Sequence, residues 1–576
     1  MKGVLHNHDP TLNLPVCIIG AGVAGLYTAM IFESLGIPYQ IVDADTKDRV
    51  GGRLFTYYFP DGGPYDYYDV GAMRFPETPF MKRTFDPARN RGLPVDLIPY
   101  VMQMVEPSPN TFLFYNNARV NNGDPSISGD PFNVSGYLND PNLTTPAEVS
   151  QRVAEVLQPF RDLFRAESGS PPRIASAMDK LFVLTNKFSM RSYMFDPASV
   201  GMNAKDISWC ETLDFSSTAA YDRALTESTL QPLSTAWPSI GPLRPFLDPN
   251  HTDALHFAAK DLRRFLRQCA QEAVQFQSPV TAISEDTENN RMNISINGIQ
   301  SPQSYSAVIS TVPLPRLSLV DLTGVNINAN YGQWSAIREL QYGPAVKVGI
   351  KFSSPWWETE LPQPIHGGQS HTDLPLRTVV YPSYPKGATP ENMSKVLIAS
   401  YCWTQDAERL GALVNTDGTA RPELIDLVFH DLAAVHGVTV EWLQQFYNPG
   451  DYFAWDWLHD PLTMGAFAFF GPGVYDSTDI YSEMLLPAAN GKLFFAGEAT
   501  SACHAWVAGA LDSAWRAVDQ YLSLNQPDSV RQTFWDLWGP TEYWDEASDE
   551  ELVNLNRKLA DRHLVIGLHK SGIRLS

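Results

Sequence analysis

Val16 to Arg53 reads VCIIGAGVAGLYTAMIFESLGIPYQIVDADTKDRVGGR, and its order of residue types decides the fold. Val16 to Ile19 is a short apolar run suited to a buried parallel strand. Gly20, Gly22 and Gly25 follow in G-x-G-x-x-G spacing: one for a tight turn, one for close approach of a pyrophosphate, one for helix packing. Leu26 to Leu35 has helical composition, with its first amides directed at the phosphates. Gly36 and Pro38 stop that helix. A second strand, Tyr39 to Val42, ends at Asp43, whose carboxylate is placed to accept ribose hydroxyls. Together these make a βαβ dinucleotide-binding unit.

A glycine triplet alone is weak. The strand before it, the helix after it and an acid about 20 residues on supply the context it needs. Val50-Gly51-Gly52-Arg53 then favours FAD over NAD, because it adds a cation and further backbone amides at the pyrophosphate.

The chain has 576 residues, 44% of them hydrophobic, enough for two or three domains. A formal charge of −22 argues against nucleic-acid or anionic-membrane partners. Cys17, Cys210, Cys269, Cys402 and Cys503 are scattered and imply no disulfide framework. His and Cys never cluster at ligand spacing, so no metal is expected. No G-x-S-x-G elbow anchors a hydrolase triad. No apolar run reaches membrane-spanning length. The N-terminal MKGVLHNHDP lacks a signal-peptide core. The expected location is therefore cytoplasmic, or secreted if this N-terminus is a processed one.

Further along, the texture alternates. Thr56 to Tyr68 reads as a loop or short hairpin. Ala147 to Glu167 is helical, with Pro159 kinking or dividing it. Met178 to Phe188, Thr218 to Leu230 and Ala258 to Gln275 are also expected helices. Strands resume at Val280, at Ala307 to Thr311 and from Ala345 to Phe352. Leu493 to Glu498 ends a strand at a glycine and an acid, before a helix from Val507. The expected fold is α/β (α+β overall): a two-dinucleotide-binding FAD domain from discontinuous segments 12–80, 250–336 and 485–525. A mixed-sheet substrate domain takes 81–144 and 337–484, and a helical insertion takes 145–249. In the C-terminal extension, 526–576, Ser548 and Glu551 have capping-box spacing.

Three more blocks narrow the class: Gly71-Ala72-Met73-Arg74, then IHGGQSHTDLP from Ile365, then FFAGEATSACHAWVAGALDSA from Phe494. With the N-terminal unit, they make residues 12–525 resemble the flavin-dependent L-amino acid oxidases of the flavin amine oxidase superfamily. The resemblance implies that Gly20, Gly22, Gly25 and Asp43 bind the ADP half, with Asp where Glu is commoner. It implies that Gly51, Arg53, Gly71, Ala72 and Met73 line the cofactor, that Val280 meets adenine through its backbone, that Glu498 holds the pyrophosphate–ribityl region, and that Val507 presents its amide to the flavin. Arg74 would pair with the substrate carboxylate, assisted by Tyr381. Trp506 would stack beside the substrate, next to the carbonyl of Ala505, where the family often has Gly. Lys347 would hold a water near flavin N5. The substrates implied are an L-amino acid and molecular oxygen, and the assembly a homodimer.

The residues themselves agree on the chemistry. An arginine in the apolar run Ala72-Met73-Arg74-Phe75 is either a carboxylate ligand or half of a buried pair, and its planar fork suits a carboxylate. Lys347 in Val-Lys-Val is read, without the resemblance, as an outward-facing strand residue. His504 is read as a hydrogen-bonded histidine in the core or behind the site rather than a catalytic base, and His366 and His371 as structural or surface residues. The rival readings are an amino acid 2-monooxygenase, an amine or polyamine oxidase, and a flavin-binding scaffold without turnover.

Overall fold

The computed structural model describes residues 14–539, apart from 77–82, 85–96, 100–109, 123, 125, 165–173, 236–253, 258–273, 326–330, 385–391 and 476–479. The expected helix over Ala258–Gln275 and the Ser548/Glu551 capping box therefore lie wholly or largely outside the described residues.

The opening unit forms as its residues dictate. Val16–Ile19 pairs in parallel with Tyr39–Val42 on one side and Ala307–Ser310 on the other. Val274–Gln275 and Leu493–Phe495 complete a five-stranded parallel sheet. Both faces of this sheet are covered, which is why its strands read as unbroken apolar runs. Val16, Ile18 and Ile41 pack under the helices Val23–Ser34 and Val507–Asn525. Cys17, Ile19 and Val308 face the layer that holds Ile283 and Ile294. Gly36 adopts φ +67 and closes the first helix, with Ile37 N–H donating to Phe32 O at 2.9 Å.

A seven-stranded sheet carries the other half of the site. Its order is Tyr447–Asp456, Ala345–Phe352, Val396–Trp403, Thr378–Val380, Gln369–Thr372, Phe112–Tyr115, Ala118–Asn121. One face supplies Val346, Val348, Leu397, Ala399, Val379 and Tyr381 to an aromatic-rich core. The opposite face supplies Ala345, Val380, Ile398, Tyr401 and Trp403 to a second cluster. A register shift opposite Val348 and Gly349 lets Ile398 and Tyr401, three residues apart, share that second face.

The helical segment has its own core, including Val153, Phe160, Trp209 and Leu225. Helix Pro146–Arg161 starts at a Thr145/Glu148 capping box. Pro159 falls in its last turn, and the α-helix gives way two residues later to a short 3₁₀ turn at Asp162–Phe164. The helix expected from Thr218 begins only at Leu225, since Ser216 and Ala219 take left-handed backbone (φ 44 and 71). Met178 to Phe188 appears as Ile174–Thr185. Helix Asp528–Trp538 packs back on the dinucleotide unit. Phe534 lies against Trp515, and Arg531 makes two 2.8 Å bonds to Asp519.

Candidate active site

A cavity of about 310 Å³ lies between the two sheets, within the usual size range of small-molecule sites. The glycine loop, Asp43, Gly51, Arg53, Val280, Glu498 and Val507 line it, as do Gly71, Ala72, Met73, Arg74, Lys347, Ala505 and Trp506. Residues as far apart as Arg53 and Glu498, 445 positions in sequence, thus share one wall.

At the dinucleotide loop the geometry is shaped by what is missing. A Cβ on Gly25 would sit 1.9 Å from Gly20 O, so the helix can approach the loop only with glycine there. A Cβ on Gly22 would meet nothing within 4 Å, leaving a surface that a diphosphate can approach. Gly51 N–H donates to Ala21 O at 2.9 Å, tying the second glycine cluster to the first. Asp43 accepts from the amides of Ala21 at 2.5 Å and Asp45 at 2.8 Å; burial raises its pKa, opposed by these bonds. One lone pair on each oxygen stays available for a ribose hydroxyl. These features fit FAD. Arg49, which the sequence reading passed over, also lines the cavity and lies 3.9 Å over the Phe55 ring.

Half-buried Arg53 and buried Glu498 form an ion pair at 2.7 Å. Glu498 Oε1 also accepts from Ala468 N–H, and Oε2 from Ala505 N–H, each at 3.0 Å. Burial opposes ionisation of Glu498, but Arg53, His504 and the Ala505 bond outweigh it and hold the carboxyl below its usual range. A Cβ on Gly71 would sit 1.8 Å from Arg53 O, so this glycine lets the Gly71–Arg74 turn close onto the Arg53 backbone.

Lys347 is not outward-facing. It is 2% exposed, and its Nζ donates to Asp69 O at 2.9 Å and Gly71 O at 2.7 Å. Burial pushes its pKa down to about 7; Asp69 opposes this and the Arg74 guanidinium adds to it. The ammonium also lies 4.6 Å from the Tyr401 ring centroid. His371 is lowered to about 4 by burial and then by Arg74, so the imidazole is neutral.

Tyr381 does not reach the cavity. Strand parity puts it on the far face of the seven-stranded sheet, where its hydroxyl is 2.6 Å from His436 Nε2 and 2.9 Å from Ser370 Oγ. The phenol on the cavity face is Tyr401, the cross-strand partner of Lys347, with Trp403 two residues on. A Tyr two positions before a Trp in a buried strand was the only available signal for it. His366 lies beside Glu358 at 3.2 Å, away from the lining of this cavity, and His504 is buried against Glu227.

The sequence matches the family of flavin containing amine oxidoreductases over residues 23–522. It is 39% identical to L-amino-acid oxidase 4 of Hebeloma cylindrosporum, over 95% of this chain and 88% of that protein. It is 27% identical to an L-amino-acid oxidase of Siganus canaliculatus, over 87% and 84% of the two. Its fold matches cyclohexylamine oxidase from Brevibacterium oxydans with a TM-score of 0.60 at 15% identity, covering 90% of this chain and 99% of that one. With its glycine cradle, its Arg53–Glu498 pair and this span of sequence, the chain belongs to the flavin containing amine oxidoreductase family.

Proposed function

We propose that this protein is an FAD-dependent L-amino acid oxidase that converts an L-amino acid, oxygen and water into a 2-oxo acid, ammonia and hydrogen peroxide. The observation that carries this reading is the presence of Arg74, Lys347 and Tyr401 on one cavity wall. The carboxylates on that wall are Asp43 and Asp45 by the glycine loop and Glu498, paired with Arg53.

Gly20, Gly22, Gly25, Asp43, Gly51, Arg53, Gly71, Ala72, Met73, Val280, Glu498 and Val507 would hold FAD. When bound, FAD supplies the two-electron acceptor for the substrate Cα–H bond and is regenerated by oxygen. The rest falls to side chains. Arg74 takes the carboxylate in its planar fork, and Tyr401 adds a hydroxyl in place of Tyr381. Positive charge on the lining, Arg74 foremost, disfavours a further cation and so biases the substrate amine toward its neutral form, the form that can be oxidised. Trp403, Trp506 and the carbonyl of Ala505 confine the α-carbon and exclude water. Lys347, fixed by two backbone carbonyls, keeps its remaining donor capacity for a water.

The reading includes a cytoplasmic homodimer. Cys17, Cys210 and Cys402 are buried free thiols, and no helix among the described residues is long and apolar enough to cross a membrane. Light scattering tests the dimer. For the activity, purified protein is assayed against the proteinogenic L-amino acids and their decarboxylated amines, following peroxide and product mass. A 2-oxo acid with peroxide supports the reading. An amide product makes the protein a monooxygenase, and preference for amines makes it an amine oxidase.

A further inference from the structure

Glu227, Tyr475 and His504 form a buried polar cluster that the mechanism above does not use. Glu227 stands on helix Leu225–Thr235 and is 4% exposed. Its Oε1 accepts from Phe470 N–H at 2.8 Å and from the Tyr475 hydroxyl at 2.6 Å, and lies 2.8 Å from His504 Nδ1. A carboxylate only accepts, so Nδ1 carries a proton. One oxygen on the helical segment therefore ties down two other segments. The first is Phe467–Phe470, which ends in the Phe470 amide. The second is the turn before helix Val507–Asn525, through His504.

That turn is strained. Ala505, next to His504, has φ +66, a conformation that L side chains disfavour and glycine does not. Ala505 is held from one side by its own N–H, bonded to Glu498. The His504 ring is held from the other, hydrogen-bonded to Glu227 and packed 4.5 Å from the Phe470 ring centroid. Burial works against a charged His504, and Glu227 then Glu498 more than restore it. Ala505 and Phe467 line both the main cavity and a small one that Glu227 and His504 close from behind.

We propose that Glu227 and His504 are positioning residues that hold Ala505 in its left-handed conformation and so fix the Ala505–Trp506 wall facing Phe467. Alanine released from this clamp relaxes away from the left-handed region, whereas glycine has no such drive. The inference rests on the L-amino acid reading only for the choice of substrate.

The test is a double-mutant cycle of His504→Leu with Ala505→Gly in the FAD-loaded enzyme. Two quantities are read: kcat/KM for the best L-amino acid, and the Kd of benzoate, a carboxylate that cannot be oxidised, from its perturbation of the flavin absorption. With Ala505 present, His504→Leu is expected to lower kcat/KM and weaken benzoate about tenfold, the order of the left-handed penalty for an L residue. In the Ala505→Gly background, the same substitution should lose roughly threefold or less. Equal losses in both backgrounds overturn the clamp. If His504→Leu does not retain FAD, His504→Phe, which keeps a ring against Phe470 but cannot donate to Glu227, takes its place in the same cycle with the same criterion. Tyr475→Phe removes a hydroxyl 3.3 Å from His504 Nδ1 but leaves the shorter Glu227–His504 bond in place, so it should lose less than His504→Leu; an equal loss also overturns the proposal. A parent that oxidises amines and not amino acids defeats the proposed function alone, and the cycle is then run with the amine.

Discussion

The assignment of the substrate-side phenol is tested by two substitutions on opposite faces of one sheet. Tyr381→Phe removes a hydroxyl that bridges His436 Nε2 at 2.6 Å and Ser370 Oγ at 2.9 Å. His436 Nδ1 already donates to Leu432 O at 2.7 Å, so Nε2 is the acceptor and is left without its donor. An unsatisfied buried group costs about 1–3 kcal/mol, so the unfolding temperature should drop by a few degrees while kcat/KM stays near that of the parent. Tyr401→Phe removes instead the hydroxyl assigned to the substrate carboxylate. A hydrogen bond to a charged partner contributes about 1.5–3 kcal/mol, which corresponds to roughly 10- to 150-fold in kcat/KM. Thermal unfolding followed by intrinsic fluorescence and steady-state peroxide assays on both variants give the two axes. The reasoning fails if the pattern crosses over, with Tyr381→Phe impairing turnover at unchanged stability and Tyr401→Phe doing the reverse.

Arg74→Met should lower kcat/KM for L-amino acids by on the order of 10²- to 10³-fold with FAD retained, and Arg74→Lys should recover only part of it; the preference for an amino acid over its decarboxylated amine should narrow or invert, read from paired assays. Lys347, held near pKa 7 in the fold against an ordinary value of 10.5, makes the native state bind fewer protons than the unfolded chain between those values, so its burial penalty is full below about pH 7 and fades as pH rises. Lys347→Met should accordingly gain stability over the parent at pH 6 and lose most of that gain by pH 10, in chemical-denaturant titrations. Gly25→Ala places a Cβ 1.9 Å from Gly20 O and should give protein that purifies without the yellow flavin absorption, while Gly22→Ala, where no atom lies within 4 Å, should fold and bind FAD more weakly.

The dinucleotide unit was legible because each of its signals is local: a strand, three spaced glycines and an acid all lie between Val16 and Asp43, and need no knowledge of the rest of the chain. The flavin-domain strands at Ala307–Ser310 and Leu493–Phe495 were visible for a related reason, being apolar runs covered on both faces. The same double burial hid the face assignment in the seven-stranded sheet. Where one face meets solvent, polar residues alternate and parity can be read; here Val379, Val380 and Tyr381 are all buried, so Tyr381 and Tyr401 could not be told apart. Glu227 was invisible for another reason. In Leu-Thr-Glu-Ser-Thr it reads as an ordinary first-turn helix acid, and its partners lie 243, 248 and 277 residues away. The buried place of Lys347 on the cavity lining runs against its local pattern, since an alternating Val-Lys-Val run by itself points the lysine outward.

The parallel sheet beneath the glycine loop also governs when the protein can become an enzyme. Val16–Ile19 finds one neighbour nearby, at Tyr39–Val42, but the other is Ala307–Ser310, and that strand in turn pairs with Leu493–Phe495. Pairings of such long range form slowly, because loop closure precedes any gain from contact. At a synthesis rate of about 5–20 residues per second, the last strand leaves the ribosome tens of seconds after the first. For that interval the helix Val23–Ser34 has no Val507–Asn525 to pack against, and Arg53 has no Glu498. The sheet beneath the cofactor cradle is therefore incomplete until Phe495 is made, and a nascent chain that stops short of it exposes an unpaired edge at Ala307–Ser310.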